Sequence, residues 1–214
     1  MLVASLADSA AAFSAESPIY VAIRAAMYLP ALIVIGACAF VLLIATRVAH
    51  LSPDGVRVSS VAPAARRLAL WATLALAIAM AARMLAQAYL VGEGSFGMIA
   101  PMLRSTVWGW GWELGAAATL VIAGALAGAR ESRAAWRIVA AGTAALALSF
   151  SLTGHAAAVE RSPSLHVALD AIHVMAAGGW LGTLLIVMTV GLRAALALPT
   201  DVRARATAQL VNAL

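Results

Sequence analysis

Five long apolar runs, separated by short polar segments, set the pattern of this chain. They cover Ile19 to Thr46, Leu68 to Val91, Val107 to Gly128, Ala134 to Thr153 and Val167 to Leu192. Each is close to the ~20 residues that carry an α-helix across a bilayer. The pattern predicts an all-α fold, a polytopic transmembrane helical bundle of about five spanning helices. Between the second and third runs, Ser95 to Thr106 reads as a short interfacial segment. Pro30 inside the first run removes a backbone donor and is expected to kink that helix. Residues 1–18 read as a short extracytoplasmic tail, 19–195 as the transmembrane domain and 196–214 as a cytoplasmic segment that starts a further helix.

Composition agrees with the periodicity. Of 214 residues, 64% are hydrophobic and only 11% charged, with a mean hydropathy of +0.97. Soluble domains carry roughly 25% charge. All fourteen basic residues are arginine. They are not gathered on one soluble face, which argues against nucleic acid as a partner and leaves the lipid bilayer. The first eighteen residues lack a basic start, and Asp8 and Glu16 interrupt any apolar stretch, so they do not read as a signal peptide. The single cysteine, Cys38, lies in an apolar run and reads as a small buried hydrophobe.

The arginines orient the bundle. Arg47, Arg57, Arg66, Arg67, Arg130, Arg133, Arg137, Arg193, Arg203 and Arg205 fall on one side, and only Arg104 and Arg161 in the loops of the other. The positive-inside rule then puts the N-terminus outside and the C-terminus in the cytoplasm. For a bacterial chain this is a multi-pass protein of the cytoplasmic (inner) membrane. Three glycine pairs, Gly111/Gly115, Gly124/Gly128 and Gly178/Gly182, have the spacing that lets helices approach closely.

Polar residues in the apolar runs are the candidate chemistry, because such groups are costly in a bilayer. His166, Asp170 and His173 sit at i, i+4 and i+7. On a helix they span an arc of roughly 60°, with His173 about 10 Å below His166. His155 ends the fourth run, about ten residues before His166 on the chain. The three histidines are expected to meet at one outward-facing mouth as metal ligands, with Asp170 orienting the deeper imidazole. Arg24, Arg83 and Glu113 are expected at the same depth, forming an ion-pair layer with Asp170. Trp180 is expected to floor this vestibule. His50 reads as an ordinary loop residue. Met80/Met84 and Met98/Met102 are i, i+4 pairs, and Met27 and Met175 lie at similar depth. Thioethers suit Cu(I), although methionine is equally a filler of apolar gaps.

The segments Ser151-Leu-Thr-Gly-His155-Ala, Leu165-His166, Asp170-Ala-Ile-His173 and Ala177-Gly-Gly-Trp180-Leu-Gly182 resemble the copper resistance protein D family. Leu85-Ala-Gln87-Ala88 and Leu103-Arg-Ser-Thr106-Val-Trp108-Gly109 add weaker matches. The resemblance extends over residues 20 to 195. It implies an inner-membrane protein that moves copper between periplasm and cytoplasm. It also implies His155, His166 and His173 as copper contacts, with Asp170, Glu113, Arg83, Arg24, Trp180 and Met84 beside the path. A periplasmic copper-binding protein is an expected partner. Members of the family continue with further helices, whereas this sequence ends at Leu214 in the mildly apolar run Ala206 to Leu214. The resemblance leaves open whether a full translocation path needs more helices.

The leading expectation is therefore a copper-handling permease, with copper as the bound or transported ion. It is not expected to be an enzyme: no residues read as catalytic, and no Walker A pattern or nucleotide domain is present to hydrolyse ATP. One alternative is a haem-binding redox protein, with His173 and a second histidine as axial ligands. Another is a structural or assembly subunit in which the charged layer only fixes helix register.

Overall fold

The computed structural model describes residues 17–45, 58–128 and 132–212. His50 and the N-terminal tail up to residue 16 lie outside them. Every regular element among the described residues is helical: seven helices, five of them long and apolar enough to cross a membrane. Helix α1 runs Pro18–Ile44, α2 Val58–Val91, α3 Ile99–Ser105, α4 Val107–Gly128, α5 Arg133–Leu152, α6 Pro163–Leu196 and α7 Thr200–Asn212. The chain is a multi-pass membrane protein.

Local chemistry sets the helix starts. Ser17 caps α1, its Oγ accepting from the Tyr20 amide at 3.3 Å, with Pro18 next in the first turn. The helical pattern of α1 continues through the buried Pro30 to Ala39, then widens into a π-helical turn at Phe40–Ile44. Thr106 starts α4, accepting from the Gly109 amide at 2.9 Å. Pro163 starts α6 behind Ser162, which takes a left-handed φ of 58°.

Helix α2 is longer than its apolar run, because Ala-rich turns from residue 58 extend it past Pro63. Helix α6 extends in both directions and contains two π-helical turns, Gly178–Gly182 and Val187–Gly191. Such turns insert a residue and re-aim the face that follows.

Helix α1 lies at the centre, packed on α2, α5 and α6, while α2–α4 and α4–α5 contacts complete the bundle. The core is built mainly from small and branched residues around Phe40, among them Val34, Leu76, Ile122, Leu126, Leu146 and Ile186, all fully buried. Gly36 and Gly182 face each other across α1 and α6 so closely that a Cβ on either would strike the partner backbone. Thr183 Oγ1 donates to the Gly36 carbonyl at 3.4 Å beside this contact. Gly111 and Gly115 also pack, against Leu152, Thr153 and Ser149. Gly124 and Gly128 face open space, so this third glycine pair joins no helices. Cys38 is buried, with its thiol 3.5 Å from the Trp136 carbonyl.

Candidate functional site

The start of α1, the end of α2, helix α3, the start of α4, the end of α5 and the start of α6 share one end of the bundle. Cross-helix contacts establish this: Tyr20 bonds Gln87, Arg83 bonds Thr153, and Trp112 Nε1 donates to the Met80 carbonyl at 3.1 Å. All three described histidines are at this end.

Arg83 is the buried charge of the region, only 7% exposed. Its guanidinium forks onto one residue. Nη2 donates to the Thr153 carbonyl at 2.7 Å and Nη1 to Thr153 Oγ1 at 3.0 Å. Met27 Sδ lies 4.0 Å from Nη1, and the Trp108 ring centroid lies 5.6 Å from Cζ. Among the described residues, Nε has no hydrogen-bond partner. Thr153 is the C-cap of α5, so its carbonyl sits at the negative end of that helix dipole. Arg83 is thus compensated by a helix terminus and an aromatic face, not by a carboxylate.

The expected ion-pair layer of Arg24, Arg83, Glu113 and Asp170 does not form: among the described residues none of the four makes an ion pair. The reason lies in helix phase. Gly111, Gly115, Ala118 and Ile122 form the packed face of α4. Glu113 is two residues, about 200°, past Gly111 and therefore sits exposed on the far side. Arg24 and Asp170 are half-buried, without a charged partner among the described residues.

Two residues after Thr153, the chain makes a single 3₁₀ turn, His155–Ala158, which packs against the start of α6. His155 is exposed on it, and Arg83 holds the α5 terminus from which it departs. His166 is exposed at the first turn of α6. Its Nδ1 lies 3.0 Å from the Ser162 carbonyl oxygen. A carbonyl only accepts, so this contact puts the proton of the neutral imidazole on Nδ1 and leaves Nε2 as its lone-pair nitrogen. That is the arrangement in which imidazoles bind metals, one nitrogen donating to the backbone and the other free.

His173 is exposed further along α6, and Trp180 follows on the same outer face, 70% exposed. The stripe His166, His173 and Trp180 therefore faces out of the bundle. Trp180 does not floor a vestibule enclosed by the described helices. Sequence periodicity groups residues on a face but does not say which way the face turns. Here Val167, Val174, Gly178 and Gly182 are the buried side of α6, with Gly178 against Ile35 and Gly182 against Gly36.

Among the described residues, no three of the His, Cys, Asp and Glu side chains come close enough together to hold a metal ion. The histidines thus share one end of the bundle and the approach to α6 without forming a closed three-residue ligand set. A haem between helices would need inward-facing imidazoles, and none of the three is buried. Met84, in contrast, is buried together with Met102, with Met98 packed beside them.

Sequence reading passed over the two polar links that organise this end. Thr153 was visible only as a letter in Ser151-Leu-Thr-Gly-His155, although a hydroxyl at a helix end before glycine is a capping signal. Tyr20 and Gln87 lie 67 residues apart, and nothing local marks them as partners.

A family model described as Copper resistance protein D-like, N-terminal domain, matches residues 14–163. The match covers more than half of the chain. It includes α1 to α5 and His155 and ends where α6 begins. No curated protein and no solved structure matches the chain.

Proposed function

The chain belongs to the copper resistance protein D-like family, and from that premise we propose that it moves copper ions across the bacterial inner membrane through a histidine site at its extracytoplasmic end. The family ties the protein to copper resistance. Capture by His155 and His166, with onward transfer along α6 past Asp170 and His173, is the finer reading.

One observation carries it. The Ser162 carbonyl holds His166 Nδ1 at 3.0 Å and leaves Nε2 available on an exposed surface. An imidazole oriented in this way needs little reorganisation to take a metal. Two further features support the path. His155 leaves a helix end fixed by Arg83, and His173 is a second exposed imidazole two turns below His166. A polar group on the outer face of a membrane helix is costly and is kept where it has work to do.

The arginine asymmetry supports the orientation, with the histidine end outside and α7 in the cytoplasm. In this reading copper is cargo, and the protein is a permease rather than an enzyme. A periplasmic copper-binding protein is the expected donor or acceptor at the histidine end. The test is Cu(II) binding by purified protein in detergent. The His155→Ala/His166→Ala/His173→Ala variant is expected to bind at least tenfold more weakly than wild type. Equal affinity in the two proteins would remove the basis for this site.

A further inference from the structure

We propose that Met84, Met98 and Met102 form a thioether site for Cu(I) beneath helix α3. The inference rests on the copper reading above and deepens it by naming an oxidation state and a second set of ligands.

Met84 and Met102 are 6% and 5% exposed and, with Ala88, form a small buried cluster separate from the main core. Met98 packs against it from the half-buried side, together with Ile99, Leu103, Trp108 and Trp112. Helix α2 supplies Met84, and one turn of α3 spaces Met98 from Met102. The main core is mostly Ala, Val, Ile and Leu, with Met27 and Met80 dispersed among them. This satellite gathers three thioethers under two indoles.

Two other methionines, Met27 and Met80, lie beside polar groups. Met27 Sδ lies 4.0 Å from Arg83 Nη1, and Met80 Sδ lies 3.5 Å from Thr119 Oγ1, which donates to the Gly115 carbonyl at 2.8 Å. Among the described residues, the sulfurs of Met84, Met98 and Met102 accept no hydrogen bond. Their lone pairs are free inside a cluster whose backbone is held in place. Thr106 Oγ1 donates to the Met102 carbonyl at 2.7 Å while it caps α4, and Gly109 has no Cβ because the Met102 carbonyl occupies that space.

The donor set selects the ion. Thioethers are soft and neutral and favour Cu(I) over Cu(II) or Zn(II). The side chains that pack together here are thioethers, aliphatic groups and indoles. Arg83 stands nearby against Trp108, so a divalent cation would meet more repulsion than a monovalent one. Met98, only half-buried, is the entry side.

The experiment uses the full chain in detergent, under reducing, oxygen-free conditions. Cu(I) is presented in competition with a chromophoric chelator, and Ag(I) serves as a redox-inert probe. Three proteins are compared: wild type, the Met84→Leu/Met98→Leu/Met102→Leu variant, and the His155→Ala/His166→Ala/His173→Ala variant. Leucine keeps volume and apolarity, so the fold is retained; circular dichroism checks this, and the single Met98→Leu variant carries the test if the triple one unfolds. The leucine variant is expected to lose one Cu(I) equivalent or bind it at least tenfold more weakly, with Cu(II) binding unchanged. The imidazole variant is expected to keep the Cu(I) site, and X-ray absorption of bound copper should show sulfur neighbours. Unchanged Cu(I) affinity and stoichiometry in the leucine variant would overturn the proposal, as would a site with nitrogen neighbours alone. Either result would leave the histidine site standing on its own Cu(II) measurement.

Discussion

Arg83 donates from both ends of its guanidinium to a single residue, reaching the carbonyl of Thr153 at 2.7 Å and its hydroxyl at 3.0 Å. This joins the second spanning helix to the end of the fifth helix in the chain, two residues before His155. A buried cation without a carboxylate is stable here because it faces a helix C-terminus and an indole ring.

Replacing Arg83 with Lys keeps the charge but not the fork, since one ammonium cannot meet both oxygens in the same planar geometry. The Arg83→Lys variant is expected to lose about 1–3 kcal/mol of stability, the scale of hydrogen bonds to a charged group. Unfolding in detergent by denaturant titration measures it. A variant as stable as wild type would mean that charge alone, and not the clamp on Thr153, is what Arg83 supplies.

The Gly36–Gly182 contact gives a steric prediction with its own control. Gly182→Val would drive a side chain into the Leu32 carbonyl and separate the first helix from the sixth. Overpacking of this kind costs about 1–3 kcal/mol or more. Gly124→Ala meets nothing within 4 Å and gains helix propensity, so it is expected to be neutral or stabilising by up to about 1 kcal/mol. Thermal melts of the two variants should fall on opposite sides of wild type or leave Gly124→Ala unchanged.

Tyr20 and Gln87 bond across the first and second helices. A double-mutant cycle with Tyr20→Phe and Gln87→Leu is expected to return a coupling of about 0.6–1.7 kcal/mol, the range for polar contacts between membrane helices. Zero coupling would show that the two side chains do not depend on each other for stability.

The spanning helices were legible because length and apolarity decide them almost alone. Val107–Gly128 matches its apolar run end to end, and Arg133–Leu152 differs from its run by one residue at each end. What periodicity does not encode is the direction in which a face turns. The spacing of His166, Asp170 and His173 marks one face, but its direction follows from the burial of Val167 and Val174 and from Gly178 packing on Ile35 of the first helix. The ion-pair layer failed for the same reason: equal depth along helix axes does not place Glu113 and Arg83 on facing sides. Methionine pairs were visible as spacings, whereas the meeting of Met84 with Met98 and Met102 depends on the short third helix folding back over the second and fourth.

Copper accumulation in cells tests the proposed transport most directly. Cells making the wild-type protein and cells making equal amounts of the His155→Ala/His166→Ala/His173→Ala variant would be exposed to copper and their metal content measured. The expected result is a copper content shifted by the wild-type protein relative to cells without it, with that shift at least largely abolished in the variant. Equal shifts from the two proteins, at matched membrane levels, would contradict transport through these histidines.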